Sequence, residues 1–206
     1  MNTYFIAGIG TDVGKTIVSA IVVESLKADY WKPVQAGELN HTDRHSVSEL
    51  ISNSRSKLHD HSYALRTPMS PHAAAAIDGI DIDLTSIKEP ETDNHLVIEG
   101  AGGLLVPVND RETMLDLIKE KYKIIVVSRH YLGSINHTLL TLNELKRREL
   151  KVSGIIFNGK EHTSTESIIV KQGNVRVLGR IDQEPELNRE VIRKYADKLK
   201  PILESL

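Results

Sequence analysis

Residues 8–16 constrain the fold of this chain more than any other stretch. They read GIGTDVGKT, follow the apolar residues 4–7 and precede an amphipathic segment that begins at Ile17. A strand that enters a glycine-rich turn and continues as a helix forms an anion site, because backbone N–H groups converge there and the helix N-terminus carries about half a positive charge. The stretch predicts a phosphate-binding loop for a nucleoside triphosphate.

The loop departs from the strict pattern G-x-x-x-x-G-K-[ST]. Ile9 stands where the first glycine belongs, and Gly8 and Gly10 flank it. The alternative is an ordinary glycine-containing turn between a strand and a helix. Lys15 and Thr16 favour the phosphate loop, because a lysine at this junction reaches the β- and γ-phosphates and a following hydroxyl can ligate Mg²⁺.

Composition sets broad limits on the class of protein. The 206 residues, 40% hydrophobic and 26% charged, predict one globular domain over residues 1–206 with one hydrophobic core. A formal net charge of -2 gives no bulk attraction to nucleic acid or to a membrane surface. No apolar run approaches the roughly 20 residues of a membrane span, and the N-terminus lacks a signal-like pattern, so a cytoplasmic protein is expected.

The chain has no cysteine, which excludes disulfides, thiolate zinc sites and thiol nucleophiles, including the cysteine of a glutaminase. Two histidine pairs, His41 with His45 and His59 with His61, have no third ligand at convincing spacing. Solvated histidines and a structural zinc site are the two interpretations, and the spacing favours the first.

Apolar segments with strand character alternate with helical patterns along the chain. This alternation predicts an α/β fold, a single-domain P-loop NTPase-like protein with a mostly parallel sheet and helices on both faces. Ligands of such sheets bind beyond the carboxyl ends of the strands. We expect strands at residues 3–8, 95–99, 123–127, 152–158 and 176–181, an extended segment at 30–34, and helices at 15–28, 42–51, 71–77, 113–121, 135–148 and 187–203.

Three charged residues outside the loop have competing interpretations. Glu99 ends an apolar strand, where it could help to hold Mg²⁺ or could accept hydrogen bonds from the glycine-rich turn that follows. Asp43 could be a functional carboxylate or a helix N-cap. Lys32 stands between Trp31 and Pro33, and its position alone leaves a solvated lysine and a functional one both open.

Five motifs together resemble the dethiobiotin synthase family. They occur in the family's order, cover residues 3–182, and are specific only in combination. They are VGKT at 13–16, KPVQAG at 32–37, SPH at 70–72, EGAGG at 99–103 followed by Val106 and Pro107, and LGSINHT at 132–138.

The resemblance implies an ATP-dependent ligase of biotin biosynthesis. The family closes the ureido ring of 7,8-diaminononanoate, also called 7,8-diaminopelargonate, with CO₂ and MgATP to give dethiobiotin, ADP and phosphate. The reaction passes through a carbamate and a carbamic-phosphoric anhydride. The resemblance also implies Mg²⁺ as cofactor, ATP as co-substrate, and a homodimer whose subunits share the substrate site.

The resemblance assigns roles residue by residue. It implies that Lys32 and Lys15 are catalytic cations, that Thr11 lies near the reacting groups, and that the Mg²⁺ ligands are Thr16, Asp43 and Glu99. Nucleotide-binding residues are Asp12, Val13, Gly14, Lys15, Thr16, Ile17, Asp43, Glu99, Gly100, Ala101 and Gly102, with Asn158, Gly159, Asp182, Gln183 and Glu184 around the base. Substrate-binding residues are Ala36 and, across the dimer interface, Gly133, Ser134, Ile135 and Asn136.

Three positions depart from the family pattern. Ala36 stands where many members have Ser or Thr, Asp12 where glutamate is common, and Asp182 where proline is frequent near the base. With Ala36, the hydrogen bond that a hydroxyl makes to substrate is either absent or supplied by another group. Asp182 changes the family pattern at the base site.

Other classes of function remain as alternatives. A nucleotide-dependent switch related to partitioning ATPases would carry a signature lysine at position 10, where this chain has Gly10, and would show a basic patch or a membrane-binding helix. An amide ligase of the cobyrinate type commonly uses a glutaminase cysteine. A binding module without activity is the third alternative, which Ala36 raises.

Overall fold

The fold is built around a central parallel sheet. The computed structural model describes all of residues 1–206. Six of the strands form this sheet in the order β2-β5-β1-β6-β7-β8, and β3 pairs with β4 in a separate two-stranded parallel sheet. The strands are β1 (Thr3–Gly8), β2 (Asp29–Trp31), β3 (Val34–Ala36), β4 (Tyr63–Leu65), β5 (Leu96–Gly103), β6 (Lys123–Arg129), β7 (Val152–Asn158) and β8 (Val177–Ile181).

Helices cover both faces of the central sheet, as the alternating pattern predicts. The first and last helices pack against each other on one face, and the fourth and fifth pack together on the other. None of the helices has the length and apolar character required to cross a membrane. They are α1 (Lys15–Leu26), α2 (Asp43–Leu50), α3 (Pro71–Asp78), α4 (Ser134–Arg147), α5 (Thr163–Gly173) and α6 (Arg189–Glu204).

Two hydrophobic clusters stabilise the fold, where the sequence predicts one core. The larger holds 41 buried residues from the central sheet and its helices. A second cluster of 8 buried residues, among them Val34, Leu65 and Met114, lies under the β3–β4 sheet. Because burial of apolar side chains is the main source of stability, the second cluster gives this small sheet its own support. That sheet forms one wall of the cleft described below.

Most predicted elements are present, and two strands match at both ends. Residues 3–8 and 152–158 are β1 and β7 as predicted, because parallel strands buried on both faces are continuously apolar. The extended segment at 30–34 is divided into β2 and β3, with Lys32 and Pro33 between them. β5 runs on to Gly103, beyond the expected end at Glu99.

The prediction of an α-helix at 113–121 is wrong. The segment forms only a 3₁₀ turn, Met114–Leu117. Met114 N donates to Val106 O at 2.9 Å and Leu115 N donates to Leu104 O at 2.9 Å, so the chain pairs with the segment after β5 instead of continuing as a helix. Tertiary pairing outweighs the local helical pattern here.

Two elements lie where the sequence indicates none. In α5 only Ile169 is fully buried, so the helix has almost no apolar periodicity to reveal it. β4 has three residues and exists because it pairs with β3. Neither element carries a local signal strong enough for prediction.

Asp29 at the start of β2 ties two loops to the strand that leads to Lys32. Its carboxylate accepts hydrogen bonds from Lys57 N at 3.0 Å, Thr92 Oγ1 at 2.8 Å and Asn94 Nδ2 at 3.1 Å. Burial alone would raise the pKa of Asp29, but these hydrogen bonds lower it below its usual value. The carboxylate therefore stabilises the folded chain in its ionised form.

We expect Asp29→Ala to lower the free energy of unfolding by about 3 kcal/mol at pH 7, because several buried donors lose their charged acceptor. A carboxyl group with a lowered folded pKa contributes stability above its unfolded pKa of about 3.9 and loses it as pH falls through the folded value. The difference in free energy of unfolding between Asp29→Ala and the unsubstituted chain should therefore be smaller in acid than at pH 7. Urea unfolding at pH 7 and near pH 3 measures this free-energy difference at each pH, with exposed Asp93→Ala as the control. An equal difference at the two pH values would contradict a stabilising role for the ionised Asp29 carboxylate.

Candidate active site

The glycine-rich loop joins β1 to α1 as predicted and is braced from β7. Gly14 has φ +94°, and a side chain there would collide with the Asn158 amide. Asn158 Nδ2 donates to Val13 O at 2.9 Å. Lys15 folds back over the loop, where its Nζ donates to Gly10 O at 2.8 Å. The loop is thus closed around its own lysine.

A second lysine lies beside the loop and contacts two carboxylates. Lys32 Nζ forms ion pairs with Asp43 Oδ2 and, at 3.2 Å, with Glu99 Oε1. The Thr16 hydroxyl lies 2.6 Å from Asp43 Oδ1 and 3.0 Å from Glu99 Oε1. Residues from four separate segments thus meet beside the phosphate loop that follows β1.

Burial makes the charges of this cluster depend on one another. Lys15, Lys32 and Glu99 are 7%, 8% and 1% exposed. Burial alone would lower the pKa of Lys32, but Glu99 and Asp43 raise it, so this lysine stays charged. Burial would raise the pKa of Asp43, and the ion pair with Lys32 lowers it.

Lys15 has no carboxylate partner of its own. Burial lowers its pKa to about 8, opposed mainly by the negative charge of Glu99. A buried ammonium of this kind is stabilised when an anion enters the loop. The Tyr30 hydroxyl donates to Glu99 Oε2 at 2.9 Å, and burial, with the Glu99 charge, raises the pKa of Tyr30. Tyr30 therefore stays a donor and holds the Glu99 carboxylate in place.

The oxygen atoms of Thr16, Asp43 and Glu99 suit a hard divalent cation. Carboxylate and hydroxyl oxygens are the ligands that Mg²⁺ prefers, and here they converge beside a phosphate-binding loop. The Lys32 ammonium contacts both carboxylates, which shows that the cluster accepts positive charge. The residues present therefore fit a divalent metal.

A cleft of about 730 Å³ opens over this cluster between the phosphate loop, the β3 strand and the start of α3. Val13 and Gly100 do not line it: Val13 is buried in the main core, and a side chain at Gly100 would meet the Phe5 ring at 3.2 Å. The predicted residues that line it are Thr11, Asp12, Gly14, Lys15, Thr16, Ile17, Lys32, Ala36, Asp43, Glu99, Ala101 and Gly102.

A second cleft of about 530 Å³ lies on the other side of the loop. It shares Asp12, Gly14 and Ile17 with the first, so the two clefts meet at the phosphate loop. Its segment 182–184 is held by α6, where the Tyr195 hydroxyl donates to Glu184 Oε1 at 2.6 Å. The predicted base-site residues all line it: Asn158, Gly159, Asp182, Gln183 and Glu184.

The remaining predicted substrate residues lie outside both clefts. Gly133 is the N-cap of α4 with φ +103°, and Ser134, Ile135 and Asn136 form its first turn. Leu132 beside them is fully exposed. Within one chain the structure therefore brings Lys32, the loop and the base-site residues together, but not residues 133–136.

Sequence reasoning missed several residues that line these clefts, among them Gln35 and Arg129, and it missed Tyr30, which lines neither cleft. Gln35 lines the larger cleft and is 3% exposed. Tyr30 holds Glu99, and Arg129 lines the smaller cleft, where its guanidinium donates to Asp12 O at 3.1 Å. Arg129 ends a strand at the carboxyl edge of the sheet, so its position was a usable signal. Tyr30 lies in an apolar strand and gave no such signal.

The fold and the site define the class of protein. A parallel sheet, a glycine-rich loop between its first strand and helix, and a lysine with neighbouring hydroxyl and carboxylate oxygens are the features of a P-loop nucleotide-binding protein. Solved P-loop structures are similar to the whole chain. The TM-score is 0.59 with 13% identity for a putative plasmid partition protein from Borrelia burgdorferi bound to AMPPNP, covering 100% of this chain and 99% of that one. It is 0.60 with 12% identity for the cell division ATPase MinD of Pyrococcus furiosus, covering 98% and 100%.

Identities this low show the fold alone, and closer relatives give the family. A family model described as an AAA domain matches residues 2–191. The chain is 57% identical to the ATP-dependent dethiobiotin synthetase of Christiangramia forsetii, over 97% of this chain and 96% of that protein. It is 50% identical to the enzyme of the same name from Cytophaga hutchinsonii, over 97% of each. The chain belongs to the dethiobiotin synthetase family.

Proposed function

We propose that this chain catalyses the closure of the ureido ring of 7,8-diaminononanoate with CO₂ and MgATP, giving dethiobiotin, ADP and phosphate. Relatives named dethiobiotin synthetase at 41–57% identity support this assignment. The observation that carries it is the position of Lys32, whose ammonium lies within one cleft with the phosphate loop and the carboxylates of Asp43 and Glu99. We propose that the enzyme works in the cytoplasm.

The chemistry requires positive charge between two anions. An amine of the substrate adds to CO₂ and loses a proton, and the resulting carbamate oxygen attacks the γ-phosphorus of ATP as ADP leaves. The second amine then attacks the carbonyl carbon of the mixed anhydride, phosphate leaves, and the ring closes. A carbamate and a triphosphate repel each other, so catalysis is mainly positioning and charge neutralisation.

Residues of the two clefts have separate roles in this scheme. Lys15 binds the β- and γ-phosphates, and Lys32 lies between the γ-phosphate and the carbamate. The Thr11 hydroxyl lines the same cleft and is available to the reacting groups. Asn158 and the residues around it receive the base in the smaller cleft. Two joined clefts are the arrangement that a nucleotide and a second substrate require.

We propose Mg²⁺ as the divalent ion and Thr16, Asp43 and Glu99 as the residues that hold it. Bound there, Mg²⁺ would supply Lewis-acid stabilisation of phosphate charge. Lys32 contacts both carboxylates of this set, so its ammonium is the cation that would lie next to the substrate anions.

We expect Glu99→Gln to raise the Mg²⁺ concentration for half-maximal activity by about tenfold, because the amide keeps an acceptor for Tyr30 but loses the charge that attracts the metal. Activity titrated with Mg²⁺ at saturating ATP measures this. Exposed Glu120→Gln is the matched control. An unchanged Mg²⁺ requirement would leave Glu99 with a structural role only.

The substrate residues on α4 require a second subunit. We propose a homodimer in which the N-terminus of α4 receives the substrate carboxylate bound in the partner's cleft, since a helix N-terminus attracts anions. The exposed apolar side chains of Tyr131, Leu132 and Ile135 at this end of α4 support an interface there.

Phosphate release from MgATP tests the proposed function. The purified chain is assayed with and without 7,8-diaminononanoate and bicarbonate, and the product mass is recorded. Release that depends on the diamine, with a product of dethiobiotin mass, supports the assignment and makes Ala36 a tolerated variation. Release indifferent to the diamine would contradict it and favour a nucleotide switch.

A further inference from the structure

Two side chains from neighbouring strands hold consecutive carbonyl groups of the phosphate loop. Arg129 ends β6 and Asn158 ends β7, and the two residues are partners in the parallel pairing of these strands. The Arg129 guanidinium donates through Nη1 to Asp12 O at 3.1 Å. Asn158 Nδ2 donates to Val13 O at 2.9 Å. The carboxyl ends of β6 and β7 therefore support the loop side by side.

The orientation of these carbonyl groups determines where the next N–H groups point. In a planar trans peptide, the C=O and the N–H of the following residue point in opposite directions. The Val13 N–H therefore faces away from Arg129, and the Gly14 N–H faces away from Asn158. Neither N–H donates a hydrogen bond within the protein. Backbone N–H groups of such a loop bind phosphate, so two donors for the nucleotide are oriented by side chains outside the loop.

The backbone at Asp12 has a conformation that requires support from its surroundings. Asp12 has φ +55°, in the left-handed region, which a residue with a side chain adopts at an energetic cost. Such a conformation persists where neighbouring groups impose it. Arg129 supplies the hydrogen bond that holds Asp12 from outside the loop. The loop is therefore organised in part by a residue that lies 117 positions further along the chain.

A direct contact between Arg129 and the nucleotide is the competing interpretation. Arg129 is exposed and lines the smaller cleft, which is the proposed base site. Its hydrogen bond to Asp12 O favours a role at the loop, because the guanidinium is already engaged there. Its strand partner Asn158 binds the next carbonyl along the same loop. Two paired residues that hold successive carbonyls indicate support of the loop.

We infer that Arg129 is a positioning residue that, beside Asn158, orients the N–H groups of the phosphate loop for the β- and γ-phosphates. This inference rests on the nucleotide site of the proposed function and is independent of the diamine. A loop that is held in its binding conformation loses less conformational freedom when the phosphates bind. Arg129 therefore acts on the affinity for phosphate groups through the backbone of residues 12–14.

Binding of inorganic tripolyphosphate and of adenosine to Arg129→Met tests the inference. Methionine keeps the apolar part of the side chain but has no donor for Asp12 O. We expect tripolyphosphate affinity to fall about tenfold, because a hydrogen bond that organises the loop is lost, and adenosine affinity to stay the same. Calorimetry at about 0.05 M and about 0.5 M salt measures both affinities. The loss should persist at the higher salt, where long-range charge effects are screened.

Three further variants complete the comparison. Arg129→Ala is a second variant without a donor and should show the same loss. Arg129→Lys keeps a charged donor, and it should bind tripolyphosphate within about threefold of the unsubstituted chain, because a single guanidinium nitrogen makes the bond to Asp12 O. Arg55→Met makes the same change at an exposed arginine in another loop and should behave like the unsubstituted chain. Melting temperatures verify that each variant is folded.

The possible outcomes separate this inference from the proposed function. Unchanged tripolyphosphate binding by the donor-free variants would overturn the inference, and so would a loss seen only at low salt. An equal loss of adenosine affinity would overturn it in favour of a direct contact with the base. In these three cases the proposed function stands. If the unsubstituted chain does not bind tripolyphosphate, the loop is not a site for β- and γ-phosphates, and both are overturned.

Discussion

Lys32→Ala is expected to lower kcat by about 1,000-fold. In the proposed mechanism this lysine is the cation between the γ-phosphate and the carbamate, and it is buried in the structure, at 8% exposure. A charge that acts on the transferring phosphoryl group and on the carbamate stabilises the transition state more than the ground state, so the loss appears in kcat.

The same substitution has a second consequence that identifies its cause. Without Lys32 the carboxylates of Asp43 and Glu99 face each other with no cation between them, which destabilises the apoprotein by about 3–5 kcal/mol. Added Mg²⁺ should therefore raise the melting temperature of Lys32→Ala more than that of the unsubstituted chain. Lys32→Arg keeps the charge and should recover stability but little activity, because the guanidinium has a different geometry. Near-normal turnover by folded Lys32→Ala would remove Lys32 from the mechanism.

Lys15→Ala is expected to lower kcat/KM for ATP by about 1,000-fold through lost binding of the β- and γ-phosphates. Its effect on stability should differ from that of Lys32→Ala. Burial lowers the pKa of Lys15 to about 8, so its charge is unfavourable in the empty loop, and its removal should leave the melting temperature unchanged or higher. Melting curves and steady-state kinetics on one preparation measure both effects.

A comparison of nucleotides provides the internal control for Lys15. AMP lacks the β- and γ-phosphates, so its affinity should be the same for Lys15→Ala and the unsubstituted chain, while ATP binds about 100-fold more weakly to the variant. Lys171→Ala, on exposed α5, is the matched surface control. Equal losses for ATP and AMP would indicate a damaged loop instead of a lost phosphate contact.

The fold was predictable where burial produces a recognisable pattern of apolar residues in the sequence. Strands buried on both faces are continuously apolar, and this pattern located β1 and β7 to the residue. The glycine-rich turn and the start of α1 at Lys15 followed from the same local logic. The predictions failed at 113–121 and missed β4, where pairing with distant segments decides the structure. They missed α5 because only Ile169 of that helix is fully buried, which leaves little apolar periodicity.

The candidate site was likewise predictable only in part. Residues 8–16 are contiguous, so their pattern indicated a phosphate loop before any tertiary information. Lys32, Asp43 and Glu99 come from three separated segments, and from position alone each had an ordinary explanation. The family resemblance placed them together; residue types and spacing could not. Their distances and shared burial are properties of the assembled sheet.

The sequence alone was sufficient to determine the phosphate loop, the parallel α/β class and the absence of thiol chemistry. Glycine spacing and apolar runs are read from a few consecutive residues, and composition requires no spatial information. The tertiary structure alone established the Tyr30–Glu99 hydrogen bond, the separate core under β3 and β4, and the hydrogen bond from Arg129 to the phosphate loop. Each of these depends on which side chains meet across long stretches of sequence. These contacts are determined by how the whole chain packs, so no local sequence pattern predicts them.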